Sequence, residues 1–210
     1  MMEIILARHG DTEWNAEDIF RGRADIGLNE TGRKQAELLA EYLSDIKIEA
    51  IYSSPLKRAL RTAETIANYH QLKVVITPSL VDLNFGQWQG LSLQEVKDKH
   101  KEFYTEWINN PEQITIPGGE SLNDIKERTI SMVNEVTAKY DGSVVMVSHR
   151  VVNKVIICAL LGLDNSHFWN IRQDTCGITT FIYENEQFIL TKLNDTSFLR
   201  PLHKAQLTDF

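Results

Sequence analysis

At 210 residues, with 42% apolar and 24% charged side chains, the chain is long enough for one domain with a buried core, or for one domain with a sizeable insertion. A net charge of −7 argues against a nucleic-acid or anionic-membrane surface. The N-terminus lacks a basic region and carries only a short apolar run, and no apolar stretch nears the roughly 18 residues of a membrane span, so a cytoplasmic protein is the expectation.

In chain order, Glu3 to Ala7 reads as a buried strand, followed by a helix over Thr31 to Ser44 with Ala36, Leu39, Ala40 and Leu43 at helical spacing. Ala50 to Ser53 is a second strand. Ser54-Pro55 then supplies an N-cap and a first-turn proline for a helix reaching about His70, and Lys73 to Ile76 is a third strand. Leu83 to Pro117 is polar and aromatic-rich, with two short helices expected. Ser121 caps a helix to about Tyr140, Ser143 to Val147 is the fourth strand, and Val151 to Leu161 a helix. Ile178 to Tyr183 and Gln187 to Leu193 pair as a closing hairpin. The alternation predicts a single α/β domain over 1–210. Its form is a three-layer α/β/α sandwich with a mainly parallel central sheet and a small helical cap excursion over 83–117.

One internal echo bears on function. The first strand runs into Arg8-His9 and the fourth into His149-Arg150. Open α/β sheets bind ligands just beyond the carboxyl ends of their strands, so the two histidines are candidates to meet in one pocket. Arg8, Arg21, Arg23 and Arg58 all precede the midpoint of an acidic chain, a local gathering that suits an anion. Cys158 and Cys176 lie in apolar company and are too few for a disulfide framework, so they read as small buried hydrophobes.

The segment Leu6-Ala7-Arg8-His9-Gly10-Asp11-Thr12-Glu13-Trp14-Asn15 resembles the histidine phosphatase superfamily, which includes the cofactor-dependent phosphoglycerate mutases. The likeness continues at Gly22, Leu28-Asn29-Glu30-Thr31-Gly32, Ser53-Ser54-Pro55-Leu56-Lys57-Arg58-Ala59, Phe85-Gly86, Gly118-Gly119-Glu120-Ser121 and Ser148-His149, in the family's order.

Phosphoryl transfer needs an in-line nucleophile, fixed positive charge around three equatorial oxygens and an acid for the leaving alkoxide. His9 suits the nucleophile, since imidazole is largely neutral near pH 7. Arg8 and Arg58 suit the oxygens as permanently charged bidentate donors, and Arg58 falls near a helix start that already favours an anion. The resemblance adds His149 and Asn15 as further partners of the phosphoryl oxygens, and Gly22 as part of the binding loop. It also implies Asp82 as the acid, at a position where the family usually carries Glu. A carboxyl doing that work has to be kept protonated by its surroundings; Glu13 is the fallback. Arg21 and Arg150 depart from the residues relatives usually carry, and one of them is expected to pair with a substrate carboxylate.

The resemblance thus implies a phosphomonoesterase acting on a phosphoserine, α-ribazole phosphate or sugar phosphate type of substrate through phospho-His9. The short chain, the wording Phe85-Gly86-Gln87-Trp88-Gln89-Gly90 and the modest excursion favour a hydrolase over a mutase. A non-catalytic phospho-ligand binder would be expected to lose Arg8, His9 or Arg58, and all three are present. No cofactor and no metal site is expected, as no His-Glu-x-x-His, Cys-x-x-Cys or Walker pattern occurs. The expected partner is a small phosphorylated metabolite rather than nucleic acid or membrane. A homodimer remains open, with no segment marking its interface.

Overall fold

The computed structural model describes residues 1–16 and 19–202, with the side chains of residues 15 and 16 left out. Six strands form one sheet: β1 (Met2–Arg8), β2 (Ile48–Ser53), β3 (Val74–Ile76), β4 (Ser143–Ser148), β5 (Ile178–Glu184) and β6 (Gln187–Asp195), in the order β3-β2-β4-β1-β5-β6. The first four are mutually parallel, and β5 and β6 close one edge as an antiparallel hairpin.

The central stretches of β1 and β4 are apolar because both faces are covered. Ile5, Ala7, Val145 and Val147 face α2 (Glu30–Leu43) and α3 (Lys57–His70). Ile4, Leu6, Val144 and Met146 face α6 (Leu122–Lys139) and α7 (Arg150–Leu160). The edge strand β6 shows the alternate exposure of a half-covered strand. The α/β/α layering and mainly parallel sheet expected from the sequence are therefore present. No helix among the described residues is long and apolar enough to cross a membrane.

A short helix α1 (Glu13–Ala16) follows β1. Residues 83–117 leave the sheet and carry a 3₁₀ turn at Gly86–Trp88, then α4 (Leu93–Lys99) and α5 (Lys101–Asn109). Trp88 and Trp107 are buried there, and Phe20 packs on Phe85 and Trp88 with ring centroids 5.1 and 5.4 Å apart. Backbone hydrogen bonds between Phe20 and both Gly90 and Leu91 fasten the segment after α1 to this excursion.

Two helix starts show how local signals fared. Ser121 caps α6 as expected, in a reciprocal box with Asp124. Helix α3 instead begins at Lys57, with Leu56 as its N-cap and no side-chain cap. The Ser54 hydroxyl accepts from the Leu56 N–H at 3.3 Å and lies 2.7 Å from His149 Nε2, so it stabilises a turn before the helix and serves the site.

Candidate active site

The site forms where three parallel strands end side by side. Arg8 pairs in register with Ser148, and Ser53 with Val147, so His9, Ser54 and His149 emerge together at the carboxyl edge of β1, β2 and β4. The His9 N–H bonds to Ser148 O at 3.0 Å, and the two imidazoles sit with centroids 5.2 Å apart. Gly10 lets the chain after His9 pass close against α2: a Cβ there would meet the Gly32 carbonyl at 2.5 Å.

His9 Nδ1 lies 2.6 Å from Gly10 O. A carbonyl can only accept, so Nδ1 carries the proton and the lone pair of a neutral ring resides on Nε2. Burial, then Arg58, His149 and Arg8, hold the His9 imidazole well below the ordinary histidine range. Burial, Arg58, Arg21 and Arg8 do the same to His149. The nucleophile candidate is thus kept in its reactive, uncharged form.

Both histidines are neutral when folded, whereas the unfolded chain protonates them near pH 6.5. Below that pH the unfolded state binds protons that the folded state refuses, so stability is complete above about pH 6.5 and falls on acidification. Each group contributes a slope of up to about 1.4 kcal/mol per pH unit. Urea unfolding between pH 7.5 and 5.5 measures this, and His9→Ala should flatten the slope; a pH-independent midpoint would contradict it.

Arg8 is buried, and its Nη1 donates to Gln173 O at 2.8 Å, while Gln173 itself is held by Gly177 O and Thr179. Burial and the neighbouring Arg150 and Arg21 lower the Arg8 guanidinium to about 9, still charged at neutral pH. Arg58 is fully buried in the first turn of α3. It donates to Gly22 O (2.8 Å), Ala24 O (2.7 Å) and Asp82 Oδ2 (3.0 Å). Gly22, at φ +49°, turns the chain so that this carbonyl faces Arg58. Asp82 Oδ1 accepts from the Leu83 N–H, and Oδ2 lies 3.6 Å from His149 Nδ1. Arg8 Nε, Arg58 Nε and His149 Nδ1 are all buried with no hydrogen-bond partner among the described residues.

The loop carrying Asp82 is clamped from behind. Arg128 of α6 donates to Ser79 O and Val81 O, and Arg23 Nε approaches Asp82 O at 3.4 Å. Glu120 ties these together, accepting from Arg23 Nη2 (2.8 Å) and the Asn84 N–H (2.9 Å) and pairing with Arg128 at 3.5 Å.

Arg8, His9, Arg21, Gly22, Asp82 and Arg150 line one end of a cavity of about 280 Å³. Arg58 and His149 lie behind Asp82 rather than on the cavity wall. Arg21 Nη1 reaches Thr12 Oγ1 at 3.4 Å, and burial lowers its guanidinium to about 10. Arg150 is exposed at the start of α7, and neither it, Arg8 nor Arg21 has an ion-pair partner among the described residues. Glu13 is exposed and does not line the cavity. The Asn15 side chain lies outside the described residues. Ser54, Gln173, Glu120 and Arg128 are site-building residues that sequence reasoning left without these roles.

Comparison with known proteins agrees with this geometry. The sequence profile of the histidine phosphatase superfamily (branch 1) matches residues 4–196. Phosphoserine phosphatase 1 of Hydrogenobacter thermophilus is 37% identical over 98% of this chain and 100% of its own. Among solved structures, Bacillus stearothermophilus YhfR superposes with a TM-score of 0.90 at 25% identity, covering 95% of this chain and 100% of that one. A mutant phosphoserine phosphatase of Entamoeba histolytica in complex with phosphoserine gives 0.83 at 30% identity, over 95% and 100% of the two chains. Matched along nearly its whole length by profile, relative and structure, the chain belongs to the histidine phosphatase superfamily, branch 1.

Proposed function

We propose that the chain is a metal-independent phosphomonoesterase acting on a small phosphorylated metabolite through a phosphohistidine on His9. The observation that carries this reading is the unprotonated His9 Nε2 beside buried guanidinium N–H groups that have no acceptor among the described residues. Buried donors without acceptors are costly, and a phosphoryl group supplies several acceptors at once. His9 Nε2 attacks phosphorus while Arg8, Arg58 and His149 hold the equatorial oxygens. The ester P–O bond breaks and Asp82 gives its proton to the departing oxygen. Asp82 then takes a proton from water as that water's oxygen attacks phosphorus, the P–N bond breaks and His9 is restored. In this reading guanidinium groups supply the charge that a metal supplies elsewhere.

A panel of phosphoserine, sugar phosphates, α-ribazole phosphate and 3-phosphoglycerate, assayed with and without EDTA and 2,3-bisphosphoglycerate, tests this. Phosphate release insensitive to both additives is expected. Isomerisation of 3-phosphoglycerate faster than phosphate release would replace the hydrolase reading with a mutase.

Arg21 and Arg150 add positive charge beyond what a phosphoryl dianion balances, since Asp82 is the one acid on the cavity wall among the described residues. Arg150 is proposed to hold a carboxylate next to the phosphoryl group. Arg150→Gly should lower kcat/KM for 3-phosphoglycerate on the order of tenfold while sparing glycerol 3-phosphate. An equal loss on both would remove carboxylate selection from Arg150.

A further inference from the structure

Away from its cationic end the cavity changes character. Its walls there are Phe20, Leu93, Tyr104, Trp107, Ile108 and Trp169. Resting on the phosphomonoesterase reading, we propose that this half is a subsite for a flat or bulky apolar group on the alcohol side of the substrate. The preferred ester is then larger and less polar than phosphoserine.

Three observations converge on this class. The first is exposed apolar surface: Ile108 and Trp169 are 41% and 39% exposed although both line the cavity, and covering such surface stabilises a complex.

The second is polarity. The Trp169 indole N–H is already committed to Trp107 O at 2.9 Å, so it is not available to a ligand. Asp82, the sole acid on the wall among the described residues, is paired with Arg58. A substrate ammonium, such as that of phosphoserine, would lose water here with no carboxylate to receive it. A carboxylate could still be met by Arg150 at the other end.

The third is preorganisation. Besides its bond to Trp107, Trp169 has the Lys154 ammonium 4.9 Å from its ring centroid, and that ammonium also lies 4.6 Å from Phe168. Trp107 in turn packs edge-on against Trp169, Phe85 and Trp88. The wall is fixed before anything binds, so little conformational freedom is lost when an apolar group lands on it. Edge and face contacts of this kind suit an aromatic ring.

Two non-hydrolysable ligands, ethylphosphonate and 2-phenylethylphosphonate, read the subsite by calorimetry without requiring turnover. The phenyl compound should bind at least about tenfold more tightly to the full chain. Trp169→Ala and, should that variant fold poorly, the more conservative surface change Ile108→Asn should erase the difference while leaving ethylphosphonate binding unchanged. In parallel, kcat/KM for 2-phenylethyl phosphate should exceed that for ethyl phosphate by a similar factor, and should exceed that for phosphoserine. The two alkyl esters share a primary alkoxide leaving group, so the first ratio does not report leaving-group chemistry. Equal phosphonate affinities, a preference for phosphoserine, or equal losses on both phosphonates in the two variants would overturn the proposal. A phenyl preference in binding with no phosphate released from any ester would uphold the subsite and overturn the phosphatase reading instead.

Discussion

Replacing His9 by alanine is expected to abolish turnover, lowering kcat on the order of 10⁴-fold or more, because it removes the atom proposed to form the covalent intermediate. The loss should be chemical and not a failure to bind. The guanidinium groups of Arg8 and Arg58 are anchored independently of the imidazole, through Gln173 O for one and Gly22 O and Ala24 O for the other. Inorganic phosphate should therefore bind the variant with an affinity within about tenfold of the parent, since charge-assisted contacts of the anion survive. Rapid-quench labelling with a ³²P-phosphate ester supplies the direct readout. The parent should give an acid-labile, base-stable phosphoenzyme and the variant none. Labelling of the variant, or a kcat within tenfold of the parent, would assign the nucleophile elsewhere.

The expectation is specific because the sequence alone placed His9 at a strand end and the structure supplies the proton arrangement. Strand-end histidines are legible from the runs EIILA and SVVMVS, whose apolar centres, residues 4–7 and 144–147, mark strands covered on both faces. That they meet follows from β1 and β4 being neighbours in register, a pairing between segments about 140 residues apart that periodicity does not encode. Ser54-Pro55 before a helical pattern predicts a helix cap at Ser54. Its hydroxyl is instead drawn to His149, 95 positions away in sequence. Sequence separation likewise hides Gln173, 165 positions from Arg8, and the clamp in which Arg23 meets Glu120 across 97 positions behind Asp82. Local chemistry announces strands, caps and reactive side chains; the residues that hold those side chains in place are chosen by tertiary contact.

The cationic end also shows why the arginines do not fill equivalent roles. Arg58 is buried and already paired, whereas Arg21 and Arg150 reach the cavity wall without an ion-pair partner among the described residues. An arriving dianion therefore meets open positive charge first and Arg58 last. Steering and selection are expected of the outer pair, while the unpartnered Arg58 Nε–H and an exchange of Nη2 from Asp82 to the anion are expected to supply the inner contact.

That exchange underlies the second large effect. Asp82 Oδ2 accepts from Arg58 Nη2 at 3.0 Å and so holds the place of an anionic oxygen. A phosphoryl group competing for the same donor frees the Asp82 carboxyl from Arg58, and the proposed role of that carboxyl is to hand its proton to the departing oxygen. Asp82→Asn keeps the size and the Leu83 N–H contact but can neither give nor take the proton. Turnover of an alkyl ester such as ethyl phosphate should fall on the order of 10²- to 10³-fold, the usual contribution of general acid–base catalysis. Formation of the phosphoenzyme from p-nitrophenyl phosphate, whose leaving group departs unprotonated, should fall less than about tenfold in a burst experiment. The burst should then be followed by slow hydrolysis, since the water step loses its base. Equal loss of both substrates in the first step would show that Asp82 orders Arg58 and does not handle the proton, and Glu13 would be the next carboxyl to test.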